Sequence, residues 1–268
     1  MGLMGPMRLM GLETVGCRPS FQGSFFLMDG AAIRSSPESV QLHEVVPWGR
    51  SLDEYRAMFA LSEADLQGRL LGCGDGPASF NAELTALGKP RRLVSVDPLY
   101  LFTGPEIASR VEQTYETIIS QVKRNPHRYV WSYFADPDAL GAARLKAMQI
   151  FLTDYERGRV QGRYLPAALP KLGFEENEFD LCLCSHLLFL YSAQLTLDFH
   201  VTSMLEMLRV ANEVRVFPLL DLDCRRSAHL DPVVARLRAA NFNAEILDVA
   251  YEFQKGGGQM LRVKRPWS

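Results

Sequence analysis

Leu70-Leu71-Gly72-Cys73-Gly74-Asp75-Gly76-Pro77-Ala78-Ser79-Phe80 is the stretch whose reading decides the fold. The apolar residues before Gly72 suit a short buried strand, the glycines a tight turn, and the residues from Pro77 onward a helix. Pro77 fits a first helical turn, where a missing N–H costs nothing, and Gly88 stands where that helix stops. Phe80, Leu84 and Leu87 recur at helical spacing and predict its apolar face. A second apolar run, Leu93-Val94-Ser95-Val96, ends in Asp97, about 20 residues past the turn. Strand, glycine turn, helix, strand and terminal carboxylate make one βαβ unit of nucleoside-binding size.

The rest of the chain fits around this unit. At 268 residues, 47% hydrophobic and 22% charged, it can bury a sizeable core without disulfides or metals. A formal net charge of −2 argues against a general polyanion binder. The five cysteines are odd in number and scattered, which points to a reducing cytoplasm. No apolar run is long enough for a membrane span. Residues 1–46, rich in Met, Gly and Ser, read as a flexible N-terminal extension before a domain at 47–268. Ser51-Leu52-Asp53-Glu54 is a capping box that opens a helix through Tyr55, Met58 and Phe59. After Asp97, helical patterns at 107–122 and 140–151 predict a two-helix insertion at about 101–160, beside the site. Strands are expected at 179–185, 213–220, 244–249 and 259–263, with helices at 202–210 and 232–240. The pattern is α/β, doubly wound and mostly parallel, closing in an antiparallel hairpin.

Several residues carry candidate chemistry, each beside a plainer role. The turn at Gly72, Gly74 and Gly76 lets the backbone approach a ligand closely, and the helix start behind it favours an anion. Asp97 can accept both hydroxyls of a ribose. Pro77 stands where a dinucleotide fingerprint needs its third glycine, and no Gly-Lys-Ser/Thr follows, so neither that motif nor a phosphate-binding P-loop is present. His186, after the 179–185 strand, is a candidate general base or a hydrogen-bonded structural histidine. Cys182, Cys184 and His186 share a face by strand alternation, but buried cysteines are good small hydrophobes and no metal site is assigned. Cys73 is a reactive thiol or a small spacer, and Tyr191 suits packing better than chemistry. Lys123-Arg124-Asn125-Pro126-His127-Arg128-Tyr129-Val130-Trp131 is either an RNA-contacting segment or a helix end followed by core aromatics. Asp221 and Asp223 face substrate or cap a loop, and Arg50 and Tyr55 are placed to reach a cofactor carboxylate.

Leu71-Gly72-Cys73-Gly74-Asp75-Gly76, Val94-Ser95-Val96-Asp97 and Phe179-Asp180-Leu181-Cys182-Leu183-Cys184-Ser185-His186 together resemble the successive motifs of class I S-adenosylmethionine-dependent methyltransferases. The resemblance runs from about Trp48 to the C-terminus and implies a seven-stranded sheet. It implies that Gly72, Cys73, Gly74, Asp75 and Gly76 hold the methionine and adenosine parts of S-adenosylmethionine. Asp97 would hold the ribose, Pro98 and Leu99 would lie near the adenine, and Ser185 would form the neighbouring wall. Two acids common in the family are missing, since Leu70 stands two residues before the first glycine and 163–167 offers no carboxylate; Asp75 is the substitute near the methionine ammonium. The function implied is methyl transfer to an acceptor, with a small-molecule substrate preferred. An RNA acceptor through 123–133 and a catalytically silent binding or regulatory protein are the alternatives. Oligomeric state is left open.

Overall fold

The computed structural model describes residues 48–265, so the expected 1–46 extension lies outside the described residues. The capping box forms as read. In α1 (Leu52–Met58) the Glu54 N–H donates to Ser51 Oγ at 3.3 Å, and the Ser51 N–H donates to Glu54 Oε2 at 3.1 Å. The βαβ unit follows as β1 (Arg69–Cys73), α2 (Phe80–Ala86) and β2 (Arg92–Val96). Its helix departs from expectation at both ends. It starts at Phe80, leaving Pro77 in the turn, and Leu87 falls at the C-cap, 55% exposed instead of on the buried face.

Between β2 and the next strand stand α3 (Gly104–Arg124) and α4 (Pro137–Val160), both longer than their apolar patterns suggest. Polar starts account for the extra N-terminal turns. Thr103 and Glu106 form a second capping box on α3, and Asp136 Oδ1 accepts from the Ala139 N–H of α4 at 2.8 Å. The sheet continues with β3 (Tyr164–Leu165), β4 (Phe179–Ser185), β5 (Ala211–Phe217), β6 (Asn243–Asp248) and β7 (Gln259–Lys264), while α5 (Leu197–Val210) and α6 (Leu230–Ala239) make the remaining crossovers. β5 stops at Phe217, short of the expected 220, because Pro218 offers no N–H to continue the ladder.

The seven strands lie in the order β3-β2-β1-β4-β5-β7-β6. β7 runs antiparallel to both β5 and β6, and the other pairings are parallel. Alternation sorts the strand residues onto two faces. Leu71, Val94, Cys182, Val214 and Leu261 pack with Met204, Met207 and Leu208 of α5 and Val233 and Leu237 of α6. Leu70, Leu93, Leu181, Phe217 and Met260 pack with Tyr55, Met58, Phe80, Leu84 and Ile119 on the opposite side. The strand order reverses between β1 and β4, which places a crevice at their carboxyl ends, where the glycine turn and Ser185 sit.

One buried ion pair locks the insertion to the leading helix. Arg144 of α4 and Glu54 of α1 are 1% and 2% exposed, joined at 2.5 Å, and Tyr251 donates to Glu54 Oε1 at 2.9 Å. Burial alone would raise the Glu54 pKa, but the Arg144 charge and hydrogen bond outweigh it and hold the carboxyl below its ordinary value of 4.5. The stability this contributes is present above the unfolded pKa and drains as pH falls through the lower folded value. Replacing Arg144 with Met strands a buried carboxylate and should cost about 3–5 kcal/mol, read from the urea midpoint at pH 7. A loss under about 1 kcal/mol would mean the pair does not hold α4 in place.

Candidate functional site

The turn after β1 folds a carboxylate back over its own strand. Asp75 is 6% exposed; its Oδ1 accepts from Tyr55 Oη at 2.7 Å and its Oδ2 from Ser95 Oγ at 2.6 Å. A Cβ on Gly72 would stand 1.8 Å from Asp75 Oδ2, so glycine is required beneath this carboxylate. Gly74 adopts φ +69°, and a Cβ there would lie 2.7 Å from Leu187 in the loop after β4. Burial pushes the Asp75 pKa up to about 6, while the Ser95 and Tyr55 hydroxyls restrain it. Asp75 therefore faces the interior of the turn, where the sequence reading had placed it beside a ligand ammonium.

Asp97 sits at the tip of β2. Its Oδ2 accepts from the Gly76 N–H at 2.9 Å and its Oδ1 from the Leu99 N–H at 2.8 Å, capping a short 3-10 turn at Pro98–Leu101. Each carboxylate oxygen keeps a further lone pair. Burial raises the Asp97 pKa, and the Leu99 and Gly76 N–H groups restrain it. Other N–H groups of the turn are already engaged. Gly74 donates to Val96 O at 2.8 Å, Ala78 to Asp75 O at 3.3 Å and Ser79 to Arg50 O at 3.0 Å. Three N–H groups ahead of the helix are thus taken by the chain's own carbonyls.

His186 follows β4 with φ +53°, and the left-handed step takes it off the strand face it was expected to share with Cys182 and Cys184. Cys182 Sγ instead lies 3.6 Å from Cys73 Sγ; that contact and then burial raise the Cys73 thiol, burial raises Cys182, and Cys73 is a buried spacer. Among the described residues no group of three or more His, Cys, Asp or Glu could hold a metal. His186 Nδ1 lies 2.9 Å from Ser185 Oγ. The Ser185 hydroxyl in turn interacts with Tyr55, whose own proton is given to Asp75. With Nδ1 protonated and donating to Ser185 Oγ, the His186 Nε2 lone pair is free. Burial, then Arg50 and Arg144, drives the His186 pKa well below 6.5 and keeps the ring neutral. Tyr55, 1% exposed and tied to Asp75, does not reach outward as the sequence had suggested.

His186 lines a cavity of about 110 Å³ at the ends of β4 and β5, together with Trp48, Arg50, Gln121, Tyr129, Phe217, Tyr251 and Phe253. The insertion supplies one wall. Within the basic segment, Lys123 bridges Asp138 at 2.5 Å, Arg128 donates to Leu222 O at 3.0 Å, and Tyr129 stacks on Phe253 at 4.6 Å between centroids. Asp221 accepts the N–H groups of Asp223 and Arg225, each at 2.9 Å, which makes it a loop cap. Tyr191 is 4% exposed and packs in the core. The sequence reading missed Gln121 and Tyr251 of the cavity, Arg144 behind it and Ser95 beneath the turn, because a polar residue carries no local signal of its tertiary partners.

A sheet ordered 3-2-1-4-5-7-6, an antiparallel seventh strand, and a glycine turn bonded to an acid at the tip of the neighbouring strand define the class I methyltransferase fold. The chain belongs to the family of "Uncharacterized protein MJ0045" of Methanocaldococcus jannaschii, with 30% identity over 227 residues covering 84% of this chain and 99% of that protein. No family model matches the sequence. Solved structures similar to it include magnesium protoporphyrin IX methyltransferase from Synechocystis with bound SAM, at 12% identity and TM-score 0.40 over 80% of this chain and 78% of that one. The N-methyltransferase NodS from Bradyrhizobium japonicum gives 15% identity and TM-score 0.40 over 81% and 97%. The methyltransferase domain of a bacterial Hen1 gives 12% and 0.42 over 80% and 96%. The strand order, rather than these overlaps, carries the fold assignment.

A carboxyl whose folded pKa is raised favours folding when protonated. The Asp75 contribution is complete below about pH 4 and lost as pH rises through about 6. Asp75→Asn should therefore gain stability relative to wild type across that window, on the order of 2 kcal/mol, in urea titrations run as a pH series. A wild-type-minus-variant difference that stays flat from pH 4 to 7 would show that Asp75 is not held in the buried position described.

Proposed function

We propose that this chain is an S-adenosylmethionine-dependent methyltransferase acting on a small molecule. The observation that carries the reading is Asp97, held against the glycine turn by Gly76 with a lone pair free on each oxygen. In this reading Asp97 binds the ribose diol, Pro98 and Leu99 flank the adenine, and Gly72, Cys73, Gly74, Asp75 and Gly76 shape the bed for the methionine part. Asp75 acts from beneath by fixing the turn, and backbone carbonyls replace the missing acid at the ammonium. Ser185 closes the wall between this bed and the cavity. No metal enters the scheme.

S-adenosylmethionine supplies a methyl group already activated for attack, so the protein's task is alignment and proton removal. The cavity holds the acceptor and its aromatic walls exclude water. His186 takes the acceptor's proton at Nε2. The imidazolium that forms is countered through Ser185 and Tyr55 by the Asp75 carboxylate. A depressed His186 pKa keeps the ring unprotonated at neutral pH and makes it a weaker base. Tyr129 stacked on Phe253 builds the cavity wall, and Lys123 is paired with Asp138, which together favour a small acceptor over RNA.

Calorimetric titration with S-adenosylhomocysteine tests the reading. Wild type should bind it, and Asp97→Ala should weaken binding by about 1.5–3 kcal/mol, the range for hydrogen bonds to a charged group. Absence of binding by folded wild type would refute it.

A further inference from the structure

The cavity wall carries an unbalanced charge. Arg50 and Arg144 stand beside a single carboxylate, Glu54, and that carboxylate is taken by Arg144 at 2.5 Å and by Tyr251 at 2.9 Å. Arg50 spends one N–H on the Trp48 carbonyl at 2.9 Å, while its Nε is buried without a hydrogen-bond partner among the described residues. Gln121, on the facing helix α3, lines the same cavity and has a buried Oε1 without a partner there. Burial and the Arg144 charge lower the Arg50 pKa to about 10, so the cation persists at neutral pH although the site disfavours it. His186, neutral, adds nothing to balance it. A half-buried cation whose enclosed Nε has no partner, near a buried oxygen without a donor, suits an anion that also carries a hydrogen-bond donor.

The walls give the rest of that chemistry. Trp48, Tyr129, Phe217 and Phe253 present aromatic surface, and the cavity of about 110 Å³ is half open. A single ring, which fills an enclosed cavity of roughly 150 Å³, therefore enters with part of its volume at the mouth. We infer that the methyl acceptor is a single-ring aromatic or heteroaromatic acid, its anionic group on Arg50, a donor on Gln121, and its nucleophile toward His186. This deepens the methyltransferase reading and rests on it for the word acceptor, but the ring-anion site stands on the cavity alone. A carboxylate on Arg50 has a second source, the methionine end of the cofactor. The aromatic enclosure at the ends of β4 and β5 favours the acceptor.

Binding to the full chain is measured by calorimetry with matched pairs, namely benzoate and benzamide, 4-hydroxybenzoate and 4-hydroxybenzamide, and nicotinate and nicotinamide. Each is titrated with and without saturating S-adenosylhomocysteine. At least one anion should bind about ten-fold or more tightly than its amide, and Arg50→Met should remove that preference while S-adenosylhomocysteine still binds. Gln121→Leu, which leaves the arginine in place, should weaken the same anion several-fold, so the result does not depend on one variant folding. Amides that bind as well as the anions, or anions that all fail, overturn the inference. An Arg50→Met protein that loses S-adenosylhomocysteine but keeps the anion also overturns it, because the arginine then serves the cofactor. If wild type binds the anion and not S-adenosylhomocysteine, the ring-anion site survives and the methyltransferase reading fails.

Discussion

The hydrogen bonds to the buried Asp75 carboxylate are the constraint on which the site depends. They join Tyr55 of α1 to Ser95 of β2 through a carboxylate that Gly72 alone leaves room for. Ser95 Oγ also accepts from Asn81 Nδ2 at 3.1 Å, and Asn81 Oδ1 accepts from Arg163 at 2.8 Å. Arg163 clasps Asp154 of α4 through two contacts at 2.6 and 2.8 Å. One polar run thus leads from the glycine turn to the insertion. In a low-dielectric interior such a run is costly if broken and rigid if complete, which suits a bed that must stay preorganised.

The insertion does more than cover the crevice. Through Arg144 it reaches Glu54 and Tyr251, and through Tyr129 and Gln121 it walls the cavity. Residues 48–54, 121–144, 186 and 251–253 are distant in sequence and meet in one place. The sheet supplies the floor, the segment before α1 supplies Arg50, and the insertion supplies Gln121 and Tyr129. Burial first, and then Arg50 and Arg144, holds His186 neutral, and burial likewise lowers the Arg50 pKa.

Much of the fold was legible because it rests on local rules. The capping box at Ser51, the glycine turn, the two alternating faces of the sheet and the closing antiparallel strands each follow from spacing and residue type. The start of α2 was misread because Pro77 suits a turn as well as a first helical turn, and Ser79 wins as the cap position. His186 was placed on the strand face because alternation was carried one residue too far, past a left-handed step. Asp97 and Ser185 lie where the pattern put them. The direction of Asp75 was not legible, since it turns on the tertiary neighbours Tyr55 and Ser95. Nor was the cation–carboxylate arithmetic at Arg50, Arg144 and Glu54, which needs the folded chain.

The central claim is that the turn at Gly72–Gly76 and the tip of β2 form one nucleoside bed. An amide-resolved magnetic resonance titration with S-adenosylhomocysteine tests it most directly. The account predicts saturable shifts at the amides of Gly74, Asp75, Gly76, Asp97 and Leu99, with the core of α6 unmoved. Shifts absent there, or confined to residues away from both strand tips, would contradict it.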